Sequence, residues 1–193
     1  AYTPTTFGAI AGRDVKVLFD PIRYTPMHEW HKKHTKEFEN VGQWKRPWYF
    51  PKVSEGIEQA VARECLAVRN KVGILDASTL GKIDVKGKDA LEFLNRVYTN
   101  DFTSLTPGRC RYGLMLKEDG MIFDDGVCAC IDKNHYLIHT TTGGAANVLS
   151  WLEMWKQTEW PELEVFLTSV TDVWATATIS GPKSRKVISK ICR

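Results

Sequence analysis

The chain has 193 residues, a formal net charge of +3 and 43% hydrophobic residues. That length suits one large domain or one and a half, with ample material for a core. A balance of 26 basic against 23 acidic residues is too mild to imply a nucleic-acid partner. The only local basic cluster, Lys32, Lys33, Lys36, Lys45 and Arg46, is interleaved with Trp30, Trp44 and Trp48. It reads as a solvated helix face followed by a loop rather than a nucleic-acid surface. The five cysteines have neither framework nor CxxC spacing, which fits a reducing cytoplasm. No run of about 18 apolar residues suggests a membrane span, and the first residues, AYTPTTFGAIAG, lack the pattern of a signal peptide.

Residues 1–24, rich in Thr, Gly and Pro, read as a linker or arm. Thr25-Pro26 reads as a cap and first helical residue, opening a helix to about Phe38. His28, His31 and His34 recur on it at spacing three, but this spacing drifts around the helix and no carboxylate pair converges on it, so no metal site is expected. Residues 42–51, GQWKRPWYFP, read as an irregular aromatic loop. Ser54 opens a helix whose apolar face is Ile57, Val61, Cys65 and Val68, capped by Gly73. A strand over Ile74–Asp76 enters the turn Ala77-Ser78-Thr79, and Lys82–Val85 is a further strand. Asp89 opens a helix carrying Leu91, Leu94 and Val97. Asn100-Asp101 and Pro107-Gly108 are turn signals. After a hairpin and a strand over His135–Thr140, the loop Thr140–Gly144 leads into a helix from Ala145 to Lys156. Helix N-termini bind anions, so Thr141 in this loop is a candidate for a ligand carboxylate, with a hydroxyl-capped tight turn as the competing reading. Leu163–Leu167 and Trp174–Ser180 read as the last strands, and Ser184–Ile191 as a final amphipathic helix. The fold class is α+β, with antiparallel sheets and packed helices.

The most informative segment is the hairpin RYGLMLKEDGMIFDDGVCACI, Arg111 to Ile131. At period two, Asp125 shares a face with Met121, Phe123, Val127, Ala129 and Ile131. A carboxylate among apolar side chains is costly unless paired or protonated, and burial raises its pKa toward the range for acid–base chemistry. Pairing Leu116 with Met121 across a four-residue loop puts Tyr112 opposite Asp125. A bulge would shift that pairing. Asp125 is therefore a candidate functional acid, against the alternative of a core acid satisfied by its neighbours. Cys128 and Cys130 share the other face with Asp124 and read as small hydrophobes.

The motifs combine into a family pattern: a GxW loop, a strand ending in Asp76-Ala77-Ser78, TNDFTSL with Pro107-Gly108, the acidic pair Asp124-Asp125 before Gly126, and ISGPK at 179–183. Together they resemble the folate-dependent aminomethyltransferases, the T-proteins of the glycine cleavage system. The segment TPMHEWHKKHTKEFENVGQWKRPWYFP, with Thr79-Leu80 where T-proteins have His-Met, resembles the branch formed by α subunits of heterotetrameric sarcosine oxidase.

The resemblance implies that Asp125 contacts the reactive-nitrogen region of tetrahydrofolate and supports catalysis. It implies that Tyr112 lies along the folate, and that Leu80 and Val127 pack on it. The expected activity is capture of the one-carbon unit of oxidised sarcosine, giving methylenetetrahydrofolate and glycine. The alternatives are a glycine cleavage aminomethyltransferase and a non-catalytic folate-fold iron–sulfur assembly factor. FAD, FMN and NAD are expected elsewhere in an assembly with β, γ and δ subunits. The implied domains are 25–80 with 168–193, an incomplete first folate-binding domain, and 81–167, a central α+β domain. On this reading the chain is a truncated fragment, inactive alone, and its last helix ends before the family's pterin-anchoring carboxylate.

Overall fold

The computed structural model describes residues 4–11 and 22–192. They form two compact units, one from the described residues up to Ile74 together with those from Ile179, the other Leu75–Thr178.

In the first unit, the segment expected as a featureless arm contains a helical turn, α1 (Phe7–Ala11), and a short strand, β1 (Arg23–Tyr24); residues 12–21 of that arm lie outside the described residues. The helix expected over 25–38 is shorter, α2 (His28–His34). Thr35 turns extended at its end, and its hydroxyl donates to the Tyr49 carbonyl at 2.8 Å, so the chain leaves the helix there. The expected aromatic loop is in part a hairpin, β2 (Phe38–Val41) and β3 (Trp44–Pro47). Gly42, at φ +58°, supplies the positive φ that a two-residue hairpin turn requires. β1 adds parallel to β3, and the Arg23 guanidinium lies 4.0 Å from the ring centre of buried Trp44.

The three histidines of α2 are occupied by aromatic packing. His28 sits between Tyr24 and Phe38, and His34 stacks on Trp30 at 3.9 Å. Among the described residues no group of three His, Cys, Asp or Glu is arranged to hold a metal.

The second helix starts at Ile57 rather than Ser54, as α3 (Ile57–Asn70). Ser54 is itself at φ 63°, outside helical conformation. Gly56 takes the cap position, and its N–H donates to the Gln59 side chain. Only Ala60 of α3 is buried; Ile57, Val61 and Val68, expected to face a core, are exposed. The helix is capped at Lys71, and Gly73 instead opens β4 (Gly73–Asp76), which pairs with β10 (Ala177–Ser180). The last helix, α6 (Ser184–Ile188), is shorter than expected.

The second unit is built on a five-stranded antiparallel sheet in the order β6-β7-β8-β5-β9. Its strands are β5 (Gly81–Lys86), β6 (Cys110–Leu116), β7 (Ile122–Asp132), β8 (His135–Thr140) and β9 (Phe166–Ser169). Two helices, α4 (Ala90–Val97) and α5 (Ala145–Thr158), contribute to its core. Ile83 and Val85 of β5, Cys128 and Cys130 of β7, and Tyr136 and Ile138 of β8 pack with Phe93, Leu94, Val148 and Leu152 of these helices. Each of the aliphatic and phenylalanine side chains contributes about 1.5–3 kcal/mol when fully buried. Burial pushes the Cys128 thiol up to about 12, so it packs as a hydrophobe and is inert. β9 pairs with β5 through Phe166–Ser169, which ties residues 168 and 169 to this unit, and the unit extends from Leu75 to Thr178.

The hairpin register differs from the one expected. Lys117 and Met121 close a three-residue loop, Glu118-Asp119-Gly120, with Gly120 at φ +81°. A second slip follows at a bulge between Met115 and Leu116. Tyr112 therefore pairs with Val127, and Leu114 with Asp125. Two one-residue slips sum to an even shift, so Tyr112 and Asp125 still share a face. The bulge does remove Phe123 from that face: it packs against the core, its ring 5.0 Å from that of Trp151 on α5.

Gly126 is required at its place in β7. A Cβ there would lie 1.9 Å from the His139 carbonyl oxygen of the neighbouring strand. Gly126→Ala should push β7 and β8 apart and cost about 1–3 kcal/mol, the usual penalty of overpacking. A urea-unfolding midpoint equal to that of the parent would contradict this close approach.

Candidate functional site

The open face of the sheet carries Tyr112, Val127, His139 and Lys82 on four successive strands. Beside this row is a pocket of about 360 Å³. Its lining includes Leu80, Tyr112, Asp125, Val127, His139 and Thr141. All five residues expected from sequence thus fall around one cavity, and its size lies in the range of small-molecule sites.

Asp125 is half-buried and accepts a hydrogen bond from the Tyr112 hydroxyl. That bond and the nearby negative charge raise the Tyr112 pKa, so the phenol stays protonated as a donor. The acid buried in the sheet is not Asp125, as expected, but its neighbour Asp124, 4% exposed on the core side with Cys128. Burial raises the Asp124 pKa, opposed by hydrogen bonds from Thr141.

Those bonds explain the loop before α5. The Thr141 hydroxyl donates to Asp124 at 2.6 Å and its N–H donates at 3.2 Å, while the Gly144 N–H donates to the Thr141 hydroxyl at 3.1 Å. The carboxylate held by this loop is the protein's own. Thr141 lines the pocket, but its hydroxyl is committed to Asp124.

Leu80 is positioned by a residue that sequence reasoning passed over. The turn from Asp76 is tied internally, since the Ser78 N–H donates to Asp76 and the Leu80 N–H to the Ala77 carbonyl. Lys82 is fully buried, and its ammonium donates to the carbonyls of Ser78 at 3.1 Å and Leu80 at 2.8 Å. Burial lowers its pKa, while Asp76 and Asp172 act in the opposite sense. The signal in the sequence was the alternation of GKIDVK: Ile83 and Val85 face the helices, so Lys82 and Asp84 must lie on the other face. His139, whose Nδ1 lies 3.2 Å from the Val127 carbonyl oxygen, was likewise missed.

The model of the GCVT N-terminal domain matches residues 27–193. The chain belongs to this family. Among curated relatives, the sarcosine oxidase subunit alpha of Corynebacterium sp. (strain U-96) is 60% identical over 190 residues, 98% of this chain and 20% of that protein. The aminomethyltransferase of Chloroherpeton thalassium is 31% identical over 170 residues, 88% of this chain and 44% of that one. The solved glycine cleavage system aminomethyltransferase T of Bartonella henselae superposes with a TM-score of 0.76 at 24% identity, covering 88% of this chain and 43% of its own. It has the same α+β fold of antiparallel sheets and packed helices. The chain thus spans about a fifth of the length of the sarcosine oxidase relative and under half of the aminomethyltransferases. Among the described residues, no helix is long and apolar enough to cross a membrane.

Proposed function

We propose that this chain binds tetrahydrofolate in the pocket around Asp125, as the folate-binding part of a sarcosine oxidase α subunit. The observation that carries the reading is the Tyr112–Asp125 hydrogen bond inside a pocket walled by Leu80 and Val127, in a chain 60% identical to a sarcosine oxidase α subunit. The pocket suits such a ligand. Leu80, Val127 and the Tyr112 ring offer apolar walls for a flat ring, and Asp125 offers an acceptor for its N–H groups.

Tetrahydrofolate supplies the nucleophilic nitrogen that takes up the one-carbon unit. Asp125 supplies the charge that chemistry needs. Its carboxylate stabilises positive charge developing on the amine and accepts the proton released there. Tyr112 holds that carboxylate in one orientation through its hydroxyl. Lys82 fixes the turn that presents Leu80. On this reading the amine is sarcosine, oxidised by a flavin in a partner β subunit, and the products are glycine and methylenetetrahydrofolate. The γ and δ subunits, FAD, FMN and NAD belong to the rest of the assembly.

A second reading, a glycine cleavage aminomethyltransferase, has the 31% identical relative in its favour. Thr79-Leu80 in place of His-Met and the 60% match weigh for the sarcosine oxidase reading. Calorimetric titration of the whole protein with tetrahydrofolate tests the reading. Saturable binding that Asp125→Asn weakens about tenfold or more, the equivalent of one charged hydrogen bond, is the expected outcome. Unchanged binding in that variant would remove the pocket from the function.

A further inference from the structure

His139 occupies the centre of the open face. The β7–β8 pairing ends at Cys128 and Ile138, next to Val127 and His139, and Lys82 is the Cα partner of His139 on β5. The imidazole lines the same pocket as Asp125 and Tyr112. Its Nδ1 is 3.2 Å from the Val127 carbonyl oxygen. A carbonyl oxygen can only accept, so Nδ1 carries the ring hydrogen and Nε2 presents a lone pair. Among the described residues Nε2 makes no hydrogen bond. Burial lowers the pKa of the ring, as does the Lys82 cation, against the hydrogen bond to Val127; the lone pair is therefore kept at neutral pH.

We propose that His139 is a recognition residue of this pocket, its Nε2 accepting a hydrogen bond from an N–H of the bound ligand. The ligand class this selects is a nitrogen heterocycle with N–H donors on its ring or attached to it. The inference rests on the folate reading above and deepens it, because a reduced pterin carries several such donors. Two acceptors on adjacent strands, Asp125 on β7 and His139 on β8, set the orientation of the heterocycle, whereas Leu80 and Val127 grip it without regard to orientation.

Two isosteric variants separate recognition from structure. An Asn amide reaches about as far as Nδ1, so His139→Asn keeps a donor for the Val127 carbonyl and loses the acceptor at Nε2. A Gln amide reaches about as far as Nε2, so His139→Gln keeps an acceptor facing the pocket and loses the Val127 bond. Tetrahydrofolate affinity and thermal midpoint are measured on the whole protein for the parent and both variants. His139→Asn should melt near the parent and bind about tenfold more weakly, the upper end of one neutral hydrogen bond. His139→Gln should keep affinity within about threefold of the parent, with the lower melting point of the two. Parental affinity in the Asn variant, or a larger loss in Gln than in Asn, would overturn the role of His139 and leave the folate reading standing. No binding by the parent protein would overturn both.

Discussion

Asp125→Asn should lower folate-dependent product formation by one to two orders of magnitude and leave amine oxidation close to the parental rate. Asn has nearly the size of Asp and still accepts the Tyr112 hydroxyl, so the fold has little reason to change. What disappears is the negative charge. A hydrogen bond to a charged group is worth about 1.5–3 kcal/mol net, which is about one to two decades in an equilibrium or rate. Oxidation of the amine, on the proposed reading, takes place at a flavin in another subunit and does not pass through Asp125. The one-carbon unit then leaves as formaldehyde instead of being captured. The check is a product balance, formaldehyde against methylenetetrahydrofolate, at saturating amine. Methylenetetrahydrofolate formed at the parental rate would take Asp125 out of the chemistry.

Asp125 and Tyr112 could be placed on one face from sequence because a strand has a period of two, and two one-residue slips add up to an even shift. The loop is one residue shorter than the spacing suggested and Phe123 is bulged, yet Tyr112 and Asp125 stay on one face. The same reasoning misjudged which acid is buried. Composition around Asp125 is apolar, but the helices pack on the opposite face, which belongs to Asp124, Cys128 and Cys130. Which face of a strand a helix covers is a tertiary fact that alternation alone does not contain. α3 carries the same lesson, for its periodic apolar stripe is clear in sequence while Ile57, Val61 and Val68 are exposed. The β2–β3 hairpin reads as a loop in the sequence because its aromatic and proline content hides a two-residue turn at Gly42. Thr141 lines the pocket, but its hydroxyl's partner is an acid seventeen residues earlier in the chain. Lys82 stayed out of view because a lysine in a short strand is ordinarily solvated, and only the packed turn from Asp76 to Leu80 buries it.

Lys82→Met should strongly destabilise the second unit. The two side chains are similar in length, so packing is largely kept. The loss is electrostatic: the Ser78 and Leu80 carbonyls lose their shared donor, and the cation facing Asp76 and Asp172 is gone. Losing the donor of two carbonyls together with a buried cation that acts on the buried Asp76 carboxylate costs about 2–5 kcal/mol. The turn carrying Leu80 then loosens, and tetrahydrofolate affinity should fall along with stability. The pH dependence distinguishes this from lost packing. Lys82 has a folded pKa below its unfolded value of 10.5. Between the two, the unfolded chain holds a proton that the folded chain has released, so this group makes stability rise with pH across that window. Methionine has no such proton. The difference in unfolding free energy between parent and variant should therefore widen as pH rises from the folded pKa of Lys82 toward 10.5. Urea unfolding of both proteins at a series of alkaline pH values reads it directly. A difference that stays constant or narrows would mean that Lys82 is held without an electrostatic penalty, contrary to its complete burial beneath the turn.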